Sequence, residues 1–150
     1  MSLPGRAPRA ALERGADHQA PATLCYTSFL LRVVADGRYE RALAALLPCF
    51  SVYASAGDAA AARRAKLGGA VTRPADADAW IDLYASPSFH DAAARFAALV
   101  ESAASAATPA TLAAMESHFI LSCHLENAFF TQALTLDEWP TYLAADADDA

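Results

Sequence analysis

Cys49 and Tyr53 lie four positions apart in the stretch Leu46-Leu47-Pro48-Cys49-Phe50-Ser51-Val52-Tyr53. On a helix that spacing puts a thiol and a phenol one turn apart on one face. A thiol becomes a soft nucleophile once it loses its proton, and a phenol beside it can stack on a ring or hold a proton. Ala42, Leu46 and Ala56 extend the same face, which therefore reads as the inward stripe of a helix over 38–66. Pro48, just before the thiol, removes a backbone N–H and predicts a kink at Ala44, a place where a buried face could open into a cavity. The same residues also read as plain core, because a buried cysteine packs as a small hydrophobe and an inward tyrosine fills space.

A carboxylate is aimed inward as well. With Glu126 at the centre of a helical wheel, Leu112, Met115, Phe119, Cys123, Phe129, Phe130 and Ala133 fall within about 60° of it. Ser122 is the one further polar residue on that face. Burying a carboxylate is costly unless it is hydrogen-bonded or neutral, so groups in such places are candidates for general acid–base work. The competing reading is a core glutamate satisfied by a tyrosine or a helix terminus. Ser117, His124, Asn127 and Thr131 fall on the other side. His18, His90, His118 and His124 show no ligand spacing, and Cys25, Cys49 and Cys123 form no CxxC, so neither a metal site nor another cofactor is predicted. Three cysteines without a pairing pattern fit a reducing, cytoplasmic setting. Of the three, Cys49 reads as the reactive thiol and Cys25 and Cys123 as comparatively inert.

These residues need helices to position them, and the chain supplies helix signals throughout. Its 150 residues suit one domain, with 55% hydrophobic and 19% charged residues. Pro21 opens a helix over 22–35 whose inward stripe is Tyr26, Phe29, Leu30 and Val33, and Gly37 separates it from the central helix. Residues 67–75, with Gly68, Gly69 and Pro74, read as a loop. Asp76 and Asp78 begin a short helix carrying Trp80, Ile81, Leu83 and Tyr84. Ser86-Pro87 and Thr108-Pro109 are N-cap and first-turn signals for two more helices, to about 104 and 134. No β-alternation competes, so the fold class is all-α, with five to six helices. Residues 1–20, with a short helical turn over 10–14, are expected as a mobile arm, 21–144 as the helical domain and 145–150 as an acidic tail. A net charge of −6 and no basic run beyond Arg63-Arg64-Ala65-Lys66 argue against a nucleic-acid partner. The apolar stretch 42–62 is interrupted by Pro48, Ser51, Ser55, Gly57 and Asp58, which reads as a core helix and not a membrane span.

Four segments occur in an order that resembles the TenA/thiaminase II family: 25–31 (CYTSFLL), 46–53 (LLPCFSVY), 80–86 (WIDLYAS) and 126–130 (ENAFF). The most specific is Leu47-Pro48-Cys49 with Tyr53 four residues on. The resemblance spans 21–134 and implies a haem-oxygenase-like helical bundle. It further implies Cys49 as a nucleophile adding to an aminopyrimidine ring and Glu126 as the residue that shuttles protons. Tyr26, Tyr53 and Tyr84 would line the substrate pocket. The implied reaction is hydrolysis of aminomethylpyrimidine breakdown products of thiamin, with a small pyrimidine as partner and a homo-oligomer as the assembly.

Departures accompany the match. Ser51 stands where the family usually has Trp, Phe129-Phe130 where it has Phe-Trp, and Ser88 near a usual Glu. The first third of the family domain, with an aspartate that grips the pyrimidine amine, has no counterpart in this chain, and Asp17 has no motif for that role. The missing helices would leave the bundle incomplete and an apolar groove exposed. A non-catalytic relative that binds a pyrimidine or another small molecule, or forms a helical interaction module, is therefore the alternative to the hydrolase.

Overall fold

The computed structural model describes residues 19–139, which form five α-helices and no strand. The expected arm, except for its last two residues, and the acidic tail lie outside the described residues, as does Asp17. The helices are α1 (Pro21–Ala35), α2 (Tyr39–Leu67), α3 (Ala75–Tyr84), α4 (Pro87–Ser105) and α5 (Pro109–Thr135), with a 3₁₀ turn at Gly68–Ala70.

Punctuation residues set these bounds. Pro21, Pro87 and Pro109 each occupy the first turn of a helix, where a missing N–H costs nothing. Ser86 and Thr108 accept hydrogen bonds at 3.2 Å from the backbone N–H groups of Phe89 and Thr111, satisfying donors that the helix itself leaves orphaned. Gly37, at φ +64°, makes the turn from α1 into α2 in a conformation that a side chain would strain.

Every other helix packs on α2. Cross-helix pairs give the directions. Ala22–Gln132, Tyr26–Glu126 and Phe29–His118 run in opposite order, so α1 and α5 are antiparallel. Phe50–Phe96 and Asp58–His90 do the same for α2 and α4. Tyr53–Tyr84 and Arg64–Asp78 do so for α2 and α3, whose far end is held by Arg64 and Arg73 bridging to Asp78 and by Arg64 to Asp82.

The burial of α2 corrects the sequence reading. The expected stripe of Ala42, Leu46, Cys49, Tyr53 and Ala56 is only half-buried, and the enclosed residues are Leu43, Ala44, Ala45, Pro48, Ala54 and Gly57. Four other helices cover α2 on more than one side, Ala42 and Cys49 pack against the core while half-buried, and Ser51, Ser55, Asp58 and Ala59 mark the face left exposed. With its 3₁₀ extension, α2 is long and apolar enough to cross a membrane by composition, but here it is the helix on which the bundle is built.

Two cores result. Tyr26, Phe29, Val33 and Ala45 form one, between α1, α2 and α5, and Leu43, Ala44, Val100 and Met115 form the other, between α2, α4 and α5. Beside the second core, Leu47, Ala104, Leu112 and Phe119 help line an open apolar groove of about 150 Å³.

Candidate active site

The first core carries a polar centre. Tyr26 faces inward from α1 because it shares a stripe with Phe29 and Val33, and its hydroxyl donates to Oε1 of Glu126 at 2.8 Å. The Tyr26 hydroxyl oxygen also lies 3.1 Å from Sγ of Cys49 and 3.1 Å from Oγ of Ser122. Ser122 in turn donates to the backbone carbonyl of Ala45 at 2.6 Å. The register of α1 on α5 is fixed one turn away, where Gln132 accepts from the N–H of Ala22 at 2.6 Å and donates to Thr23 at 3.0 Å.

Counting protons orders the centre. The phenol has one hydrogen, and Glu126 takes it. The serine has one, and Ala45 takes it. The thiol must therefore donate to the phenol oxygen, giving a line from Cys49 through Tyr26 to Glu126. The second carboxylate oxygen, Oε2 of Glu126, has no partner although the residue is only 1% exposed. That oxygen can accept one more hydrogen bond.

Electrostatics favours the protonated resting state. Burial pushes the Cys49 thiol up from its ordinary value; the hydrogen bond that the Tyr26 hydroxyl can give the thiolate opposes this, and the charge of Glu126 adds to it. Burial likewise holds the Tyr26 proton far above the usual phenol range, helped by its contacts with Cys49 and Glu126 and opposed by Ser122. A thiolate here forms only if its proton has somewhere to go, and the line through Tyr26 leads to a carboxylate.

An aromatic group adjoins this centre. The Tyr53 ring lies 4.9 Å from Tyr84, 5.3 Å from Phe130 and 6.4 Å from Trp80. Burial, with the charge of Glu126 and smaller effects of Tyr84 and Cys49, pushes the Tyr53 phenol up to about 12. Tyr84 comes this close because α2 has a glycine opposite it: a Cβ on Gly57 would stand 2.5 Å from the Tyr84 carbonyl carbon and 2.8 Å from its Cβ.

Of the five residues singled out from the sequence, Tyr26, Cys49 and Glu126 share one hydrogen-bonded group, and Tyr53 lies near enough for Glu126 and Cys49 to act on its charge. Tyr84 packs on Tyr53 and makes no side-chain hydrogen bond to the group. Cys123 is half-buried near Glu126, whereas Cys25 is exposed, so burial does not limit access to it. No group of three metal-ligating side chains occurs among the described residues. Sequence reasoning missed Ser122, Gly57, Trp80 and Phe130 as parts of the site; the available signal for Ser122 was its place as the other polar member of the Glu126 face.

Comparison with known proteins places the sequence in a family. The model of the TENA/THI-4/PQQC family matches residues 12–136. A protein of Halalkalibacterium halodurans named aminopyrimidine aminohydrolase is 31% identical over 120 residues, covering 80% of this chain and 51% of its own length. The chain thus spans about half the length of that curated relative.

Proposed function

The chain belongs to the TENA/THI-4/PQQC family, whose fold is the haem-oxygenase-like helical bundle, and on that premise we propose that it is an aminopyrimidine aminohydrolase of the thiaminase II type. Cys49 is the nucleophile and Glu126 the proton carrier; Tyr26 holds the two in line, and Tyr53 and Tyr84 flank the ring. The observation that supports this reading best is the unpartnered Oε2 of Glu126 at the end of the thiol–phenol–carboxylate line. The name of the 31% identical relative supports the choice of reaction.

The chemistry balances with these groups. The Cys49 proton passes through Tyr26 to Glu126 as sulfur bonds to an electron-poor ring carbon. Glu126 delivers that proton to the departing exocyclic amine, and the C–N bond breaks to release ammonia. Water then adds at the vacated carbon and gives a proton to Glu126. The S–C bond breaks, the ring regains its aromaticity, and the thiol recovers its proton along the same line. The net change is one water in and one ammonia out. The aromatic side chains beside the line offer faces on which a planar heterocycle can stack. A cytoplasmic homo-oligomer completes the proposal, and light scattering checks the assembly.

The test is turnover of an aminomethylpyrimidine by the full chain beside Cys49→Ala, with calorimetric binding of the hydroxymethyl product. Ammonia release that Cys49→Ala abolishes is the expected result. Product binding with no turnover overturns the hydrolase reading in favour of a pyrimidine-binding relative.

A further inference from the structure

Ser122 is fully enclosed, and it behaves unlike other helical hydroxyls in the structure. Thr27, Ser51, Ser55, Ser105, Ser117 and Thr135 each donate to the carbonyl four positions back in their own helix. That is the default for a hydroxyl in mid-helix. Ser122 instead reaches 77 positions along the chain to the carbonyl of Ala45, at 2.6 Å.

The position of that bond is informative. Ala45 is one helical turn before Cys49 on α2, and Ser122 is one turn before Glu126 on α5. A single bond therefore ties the two helices together just ahead of the nucleophile on one and the carboxylate on the other. It does so next to Pro48, whose missing N–H deprives the Ala44 carbonyl of its usual helical partner and weakens the turn that leads into Cys49. The serine oxygen also touches the Tyr26 oxygen at 3.1 Å. With its own hydrogen committed to Ala45, it does not donate to the phenol, whose hydrogen goes to Glu126. When Glu126 has taken up a proton, the phenol hydrogen can turn to the sulfur.

We propose that Ser122 is a positioning residue for the thiol: through the Ala45 carbonyl it sets α5 on α2, and so sets the Glu126–Tyr26 pair against Cys49. The proposal rests on the reading of Cys49 as the reactive nucleophile. The titratable groups that act on the thiol are Tyr26 from α1, Glu126 from α5 and Tyr53 from its own helix. None is altered by a change at Ser122, so a shifted thiol profile reports on their placement.

The experiment measures the rate of Cys49 alkylation by iodoacetamide against pH, resolved by mass spectrometry, in the full chain and in Ser122→Ala and Ser122→Cys. Exposed Cys25 is the internal control. The cysteine variant keeps nearly the volume of serine but lacks its strong donor, which separates loss of the bond from loss of packing. Both variants should slow Cys49 about tenfold at neutral pH and move its midpoint up by about one pH unit, with Cys25 unchanged. An unmoved midpoint in either folded variant overturns the inference. Loss of the folded state in both overturns it too, in favour of a purely structural serine. A Cys49 that never reacts in the parent chain overturns the nucleophile reading itself, an outcome distinct from the others.

Discussion

Tyr26→Phe tests the polar centre most directly, because it removes one oxygen and keeps the ring that packs with Phe29 and Val33. Among the described residues that oxygen supplies the only hydrogen bond made by the Glu126 carboxylate, at 2.8 Å, so the variant leaves both carboxylate oxygens without a partner there in a residue 1% exposed. A hydrogen bond to a charged group contributes about 1.5–3 kcal/mol, and abandoning a buried charged acceptor falls at the upper end of that range. A loss of about 3 kcal/mol is therefore expected, equivalent to a fall of roughly 10 °C in Tm for a domain of this size. The double variant Tyr26→Phe/Glu126→Leu removes the stranded carboxylate and should regain most of that loss, since matched apolar replacements of a buried polar pair are often near neutral. Thermal and urea melts followed by circular dichroism read both numbers. A single variant that melts within about 2 °C of the parent, or a double variant no more stable than the single, refutes the argument that the phenol satisfies Glu126.

Gly57→Ala should cost about 1–3 kcal/mol, because the added Cβ meets the Tyr84 backbone at 2.5 Å and must push α3 off α2; an unchanged urea midpoint counts against that close approach. Stability should also fall at alkaline pH. The Tyr53 phenol is raised from 10.0 to about 12, so the folded state holds that proton more tightly than the unfolded chain does. Its contribution is fully present below pH 10 and is lost as pH rises through about 12, with the Cys49 thiol, also raised, adding in the same direction. Tyr53→Phe should flatten part of the fall between pH 9 and 12 in Tm measurements, and a parallel curve for the variant contradicts it.

Helix bounds were legible in the sequence to within a residue or two, because they rest on local chemistry: Pro21, Pro87 and Pro109 in first turns, Ser86 and Thr108 as caps, Gly37 between α1 and α2. The inward aim of Glu126 was legible too, since periodicity reports which way a helical side chain points. What periodicity does not report is the partner it meets. The bonds joining Ser122 to Ala45 and Tyr26 to Glu126 depend on the register of α1 and α2 against α5, which is a property of packing. The same limit explains the misplaced stripe on α2. In an alanine-rich helix with neighbours on several sides, hydrophobicity does not single out the most enclosed positions, and Gly57 is distinguished only by what lies against it.

The antiparallel pairing of α1 with α5 has a consequence for the order in which the protein assembles. The Tyr26–Glu126 bond closes a loop of 100 positions, and the Ser122–Ala45 bond one of 77. By contrast, the Arg64–Asp78 bridge between α2 and α3 spans only 14 positions. Short-range pairs can form while the rest of the chain is still unfolded, whereas long closures carry more entropy and wait for the docking of whole elements. The thiol, phenol and carboxylate are therefore brought together by the arrival of α5, the last helix to leave the ribosome among those described. Without α5, Cys49 and Tyr26, only 23 positions apart, lack the carboxylate that accepts the phenol hydrogen. On the proposed reading of Cys49 as the nucleophile, its reactivity would report completion of the bundle, and hydrogen exchange at the backbone of α5 should rise in step with its loss.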